Sequence, residues 1–174
     1  MTTGSSLPGV AQIWDWLGQV PDPEIPVISV VDLGIVRGVE WQGTQCVVTI
    51  TPTYSGCPAM QVIADTIGEA LRAHGIDDLR LVSQLSPAWT TDWMSDVGRA
   101  KLQGYGIAPP AQQVIDISGL HGGVKRRAQA PLTVTCPNCG ATHTQLTSQF
   151  GSTPCKALYK CLDCLEPFDY FKCH

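Results

Sequence analysis

Apolar positions along the chain change period several times, and each change marks an element. Val10, Ile13, Trp14 and Leu17 recur at the spacing of one helical face, and the helix they predict stops before Pro21. A dense loop, Asp22-Pro23-Glu24-Ile25-Pro26, follows. Ile35–Trp41 and Gln45–Thr51 have strand composition, and the Gln42-Gly43-Thr44 segment between them predicts a hairpin, with Cys46, Val48 and Ile50 alternating toward one face. From Pro58 the helical period returns: Met60, Ile63, Ile67 and Leu71 share a face, and Gly75 sits where that helix should close. Leu79–Leu85 predicts a third strand with Leu79, Leu81 and Leu85 on one side, and a last helix is expected from about Asp92 to Gln103, closed by Gly104. This order implies an α/β (α+β) fold: a small mixed sheet with helices packed on one face.

With 174 residues, 44% of them apolar and 15% charged, the chain can bury one ordinary core and carry a small appended module. No apolar run approaches the roughly 18 residues of a membrane span, because Ser29 and Asp32 interrupt the longest candidate, Ile25–Val36. Met1–Val10 contains neither a basic residue nor an apolar stretch, so no secretory or transit signal is supported and a cytoplasmic, reducing address is expected. Charge and cysteine then divide the chain. Met1–Leu120 holds five basic residues against twelve acidic ones, whereas His121–His174 holds six against three and six of the eight cysteines. The run from His121 to Pro131 has linker composition. The expected organisation is therefore a first domain over 9–119, a linker over 120–131 and a cysteine-rich ribbon over 132–174. An acidic first domain argues against nucleic acid as partner, and Lys125-Arg126-Arg127 is too short to be more than a solvated linker.

The tail has the spacing of a metal site. Cys136-Pro137-Asn138-Cys139 and Cys161-Leu162-Asp163-Cys164 form two C-x2-C knuckles separated by 21 residues. Each knuckle presents two thiolates, and two knuckles close a tetrahedral shell with bonds of roughly 2.3 Å. Zinc suits a closed shell; iron or an iron–sulfur cluster also accepts four cysteines. So short a segment lacks a sufficient core of its own, and ligation would supply much of its folding free energy. Cys155, Cys173, His174 and His143 lie in the same module. They read either as spare side chains beside one structural metal, or as extra ligands of a second, transient thiol site in which Lys156 and Lys160 make Cys155 reactive.

Cys57 lies where the second strand gives way to the second helix, and Pro58 suits a first helical turn. That places Cys57 at about the N-cap. Free backbone N–H groups there would lower the pKa of its thiol, making it a nucleophile or soft-metal ligand. The alternative is a small buried cysteine filling the corner, the reading also given to Cys46. Asp22 and Glu24 are candidates for hard oxygen ligands, for caps, or for plain turn residues, held in any case by two prolines. Trp89 and Trp93 read as core packing.

Three runs taken together, Asp22-Pro23-Glu24-Ile25-Pro26, Asp32-Leu33-Gly34-Ile35-Val36 and Tyr54-Ser55-Gly56-Cys57-Pro58, resemble the metal–sulfur cluster assembly domain of SufT-like proteins over about residues 9–106. With Ser152–Cys161 and Glu166–Lys172 added, the whole chain is similar to the PaaD (PaaJ) family of the aerobic phenylacetate pathway. The resemblance implies an accessory protein that helps the iron–sulfur reductase component or metal centre of the multicomponent phenylacetyl-CoA epoxidase to mature. It also implies that Cys57 is the functional cysteine, that Asp22 and Glu24 belong to the signature loop, and that Cys155 belongs to the tail motif. The favoured reading is a non-enzymatic carrier: Cys57 offers a labile thiolate to iron or a cluster, two subunits share one cluster through paired Cys57 residues, and the four-cysteine ribbon docks the client. Two other readings stay open. One is a stoichiometric structural or interaction component of the oxygenase. The other is a thiol redox enzyme, which is disfavoured because no C-x-x-C includes Cys57 and no histidine base is evident nearby.

Overall fold

The computed structural model describes residues 7–54, 56–110 and 133–172. Cys173, His174 and the linker expected at 120–131 fall outside the described residues. Helix α1 (Val10–Leu17) buries Ile13 and Leu17, and α2 (Met60–Ala73) buries Ile63, Ile67 and Leu71. Both sets meet Cys46, Val48 and Ile50 of β2 in one cluster, as the helical and alternating periods require. β1 (Val36–Gln42) and β2 (Gln45–Ile50) form the antiparallel hairpin, turned at Gly43 with φ +65. β3 (Leu79–Ser83) pairs parallel to β2 after the α2 crossover, giving the strand order β1-β2-β3. Helix α2 closes on Gly75, at φ +83, where Gly75 N–H donates to Arg72 O and Ile76 N–H to Leu71 O, a Schellman motif sealed by the buried pair Ile76 and Leu71.

Two expected boundaries move. β3 stops at Ser83 because its partner runs out: β2 ends at Ile50, Gln84 N–H takes the last carbonyl of that strand, and Leu85 is left 62% exposed instead of facing the core. The last helix is broken in two, a 3-10 turn over Thr91–Trp93 and α3 over Asp96–Gly104. Ser95 separates them as the N-cap of α3, its Oγ accepting from Gly98 N–H at 2.9 Å.

The segment between α1 and β1 is irregular yet lines the core: Val20, Ile25, Ile28, Val30, Leu33 and Ile35 are all buried. It is clasped by the region around α3. Ser95 Oγ donates to Asp32 Oδ1 at 2.8 Å, Lys101 Nζ meets Asp32 Oδ2 at 2.6 Å, and Trp89 Nε1 donates to Leu33 O at 3.1 Å. Burial opposes ionisation of Asp32, but the hydrogen bonds from Lys101 and Ser95 outweigh it and hold the carboxyl below its ordinary value. Gly34, at φ +74, lies so close to Trp93 that an added Cβ would stand 2.5 Å from the Trp93 carbonyl oxygen.

The ribbon strands are β5 (Thr144–Ser148), β6 (Lys156–Cys161) and β7 (Pro167–Phe171), successive antiparallel neighbours. A fourth strand comes from the other side of the linker: β4 (Ile107–Ala108), two residues beyond α3, pairs parallel with β7, so the sheet runs β4-β7-β6-β5. The ribbon has a small core of its own around Val134, Ala157, Phe168 and Tyr170. Phe171 and Cys155, however, belong to the first domain's core, with the Phe171 ring edge-on to Trp89 at a centroid distance of 6.0 Å. No helix among the described residues is long and apolar enough to cross a membrane.

The two turn glycines make a direct test. Gly34→Ala adds a backbone collision to left-handed strain and is expected to cost about 2–4 kcal/mol in thermal or urea unfolding. Gly43→Ala, with nothing within 4 Å of its added Cβ, should cost only about 1 kcal/mol.

Candidate functional site

The four ribbon cysteines converge. The sulfurs of Cys136, Cys139, Cys161 and Cys164 all lie within 4.8 Å of one another, with Cys136 to Cys164 at 3.8 Å and Cys139 to Cys161 at 3.6 Å. A tetrahedron with bonds of about 2.3 Å has an edge of about 3.8 Å, so the donor set fits one ion with four thiolates. Each knuckle turns back through a left-handed residue, Gly140 at φ +76 in the first and Leu165 at φ +66 in the second. The backbone N–H of Cys164, 3.5 Å from the Cys161 sulfur, is the main reason the Cys161 thiol is lowered to about 7. His143 is not part of this group; its ring pairs with Asp163 at 3.1 Å on the exposed face.

A second convergence lies at the junction of the two domains. Asp22 is buried, and its Oδ1 accepts from the backbone N–H of Glu24 at 2.9 Å and of Ile25 at 2.8 Å. This Asx turn, stiffened by Pro23 and Pro26, aims the Glu24 side chain. Burial raises the Asp22 carboxyl above its ordinary value, the two N–H donors and the nearby Lys156 opposing the shift and the Glu24 charge adding to it. Glu24 Oε2 meets the sulfur of Cys155 at 3.4 Å, a contact spanning 131 residues of sequence. The Cys155 sulfur is also 3.0 Å from Thr153 Oγ1.

Cys57 faces the same carboxylates. It lies two residues ahead of Ala59, the N-cap of α2, and not at the cap itself. The backbone N–H groups of Ala59 and Met60 nevertheless point at its sulfur. The expected lowering of its pKa does not follow: burial pushes the thiol up, Glu24 and Asp22 push it further, and the two helix-end donors do not compensate. Cys155 behaves alike, carried to about 11 by burial first, with the Glu24 charge also raising it. Lys156 does not activate it, because that side chain is buried in an ion pair with Asp169 at 3.2 Å. Tyr54 completes the neighbourhood, its phenol raised by burial and by the charges of Cys57, Glu24 and Cys155.

Of the residues singled out in the sequence, the structure therefore brings together Cys57, Asp22, Glu24 and Cys155 in one place, and Cys136, Cys139, Cys161 and Cys164 in another. Cys46 and Trp89 are buried in the core and Trp93 packs against it, under the Arg37 guanidinium at 3.6 Å. The approach of Cys155 to Glu24 carries no signal in spacing or period.

A mixed-sheet domain presenting a cysteine to an Asp-Pro-Glu loop, joined to a four-cysteine ribbon, has the two-part layout of an assembly-type domain followed by a metal-binding ribbon, and two family models match the two parts. Residues 10–78 match the family model described as "Iron-sulfur cluster assembly protein", and residues 121–172 match "PaaD zinc beta ribbon domain". The chain belongs to the PaaD family. It is 50% identical over 166 residues, 95% of this chain and 94% of the relative, to a protein of Escherichia coli (strain K12) named as one subunit of a "Putative 1,2-phenylacetyl-CoA epoxidase". It is also 34% identical over 88 residues, 49% of this chain and 85% of the relative, to the "Fe-S protein maturation auxiliary factor YitW" of Bacillus subtilis (strain 168). Among solved structures, a domain of unknown function (DUF59) from Bacillus anthracis superposes with a TM-score of 0.50 at 25% identity, covering 53% of this chain and 90% of that one.

Two outcomes are expected here. Asp22→Ala strips the acceptor from two backbone donors and should cost about 1–3 kcal/mol, whereas Asp22→Asn keeps an acceptor oxygen and should stay within about 1 kcal/mol of the parent in urea unfolding. Loading the ribbon with Zn2+ and then stripping it with a strong chelator under reducing conditions should remove ligation free energy on the order of 10 kcal/mol. Phe171 should then leave Trp89, seen as a red shift in tryptophan emission that reverses when Zn2+ is restored.

Proposed function

We propose that this chain is a maturation factor of the phenylacetyl-CoA epoxidase system that carries iron or an iron–sulfur cluster to the iron–sulfur reductase component, as an accessory protein and not as a catalyst. The observation that carries the reading is the Cys57 sulfur, half-buried, met by the N–H groups of Ala59 and Met60 and faced by the carboxylates of Asp22 and Glu24. The negative field that disfavours a bare thiolate there favours a cation bound to it. Cargo is thus held by displacing a proton, and it leaves when a proton or a better donor set takes its place. A carrier needs this lability. The ribbon has the opposite character, four sulfurs spaced to close around a single ion, which we assign as zinc with a structural and client-docking role. A reducing cytoplasm is the compartment in which such unpaired thiols persist.

The E. coli relative is named as part of the epoxidase itself, which favours a second reading, a stoichiometric component of the oxygenase. The two separate by when the protein is needed. Co-expression of the reductase with Cys57→Ser is expected to lower its cluster content several-fold while ribbon metal content and thermal stability stay at parental values. Normal client cluster content would remove the carrier reading. An oxygenase that needs the chain after its centres are already filled would establish the stoichiometric reading in its place.

A further inference from the structure

Among the described residues, one ribbon cysteine stands outside the four-sulfur group and reaches the other domain. Cys155 stands just before β6, is only 4% exposed, and packs in the first domain's core rather than the ribbon's. Its sulfur lies 3.4 Å from Glu24 Oε2, and Lys172 N–H, beyond β7, donates to its carbonyl at 3.0 Å, so the position is fixed by both ribbon strands that enter the junction. Cys57 addresses the same Glu24 and Asp22 from the opposite segment, and Tyr54 lies in the field of both cysteines. Three segments thus offer two thiols and a carboxylate to one place. A buried thiol against a carboxylate gains little by itself, whereas two soft donors and one hard one suit a divalent iron centre. Among the described residues only the four ribbon sulfurs lie mutually within 4.8 Å. The junction donors stand farther apart than that, so holding one ion requires their side chains to close on it.

We propose that Cys155 is the ribbon's ligand in the cargo site: a thiophilic iron species is held by Cys57, Cys155 and Glu24 of a single chain, and only while the ribbon is docked. The inference rests on the carrier reading above and adds to it a second thiolate, a one-chain stoichiometry and a means of release. On binding a divalent ion, two S–H bonds break, two sulfur–metal bonds form and two protons go to solvent. When a client draws the ribbon away, one sulfur leaves with it and the remaining donors hold the cargo more weakly. This replaces the pairing of two Cys57 residues across a dimer.

The test uses the full chain with zinc already in the ribbon, titrated anaerobically in two arms, with Co2+ as a ferrous surrogate and with Fe2+ plus sulfide to allow a cluster. The expected result is one further cobalt per chain with charge-transfer absorbance of two thiolate bonds. Cys57→Ser and Cys155→Ser should each weaken it at least tenfold and halve that absorbance, and Cys155→Asp should recover affinity without the lost sulfur band. Colour in the sulfide arm alone, lost in both serine variants, supports the same ligands for a cluster. Parental binding by Cys155→Ser beside lost binding by Cys57→Ser overturns this inference and leaves the carrier reading standing. No binding by the unsubstituted chain in either arm overturns both. A count of one thiolate per cobalt in the unsubstituted chain overturns the inference whether or not the Cys155 variant keeps its ribbon seated.

Discussion

The contact on which the remaining architecture depends is the burial of Phe171 against Trp89. It is an aromatic pair made between the last ribbon strand and a core assembled some eighty positions earlier. Without it the ribbon would be held only by a two-residue strand and the seating of Cys155 against Glu24. With it, β7 is fixed on both sides, β4 has a neighbour to pair with, and the start of β6 is pressed toward the loop that carries Glu24. A small domain with limited core gains from such sharing, because each half hides apolar surface that the other could not cover alone.

The loop between α1 and β1 supplies the other fixed surface. Its residues alternate between core anchors and polar clasps, so a segment without regular structure becomes stiff enough to present a carboxylate at a set place. Asp22 spends both its position and its oxygen on backbone donors. Glu24, one proline further on, is left to face the cysteines. Two acids two residues apart in one short motif thus divide the labour, one building the turn and the other facing outward from it.

Much of this was legible in the chain. α1, the hairpin and α2 declare themselves through period and through Gly and Pro punctuation, and the paired knuckles through spacing, because all are set by contacts between near neighbours in sequence. What failed was set by partners far away. Leu85 looks like a strand residue until its neighbour strand ends at Ile50. Ser95 caps a helix that the pattern starts at Asp92, since its hydroxyl is shared with Asp32, 63 residues distant. The direction of the Cys57 pKa reverses for the same reason: local geometry supplies the N–H groups, but burial and two carboxylates from another segment decide the sign. Cys155 was identifiable as a candidate, while its address across the domain boundary was not.

β6 runs from the residue after Cys155 to Cys161, so one strand ends in the junction at its start and in the four-sulfur group at its finish. At about 3.3 Å per residue the two cysteines are separated by roughly 20 Å of extended backbone. Such a rod transmits position, and thermodynamic reciprocity fixes the consequence: an ion that steadied one end would lower the cost of ordering the other, by the same factor in each direction. An ion held by the four sulfurs would in this sense act on the distant thiol.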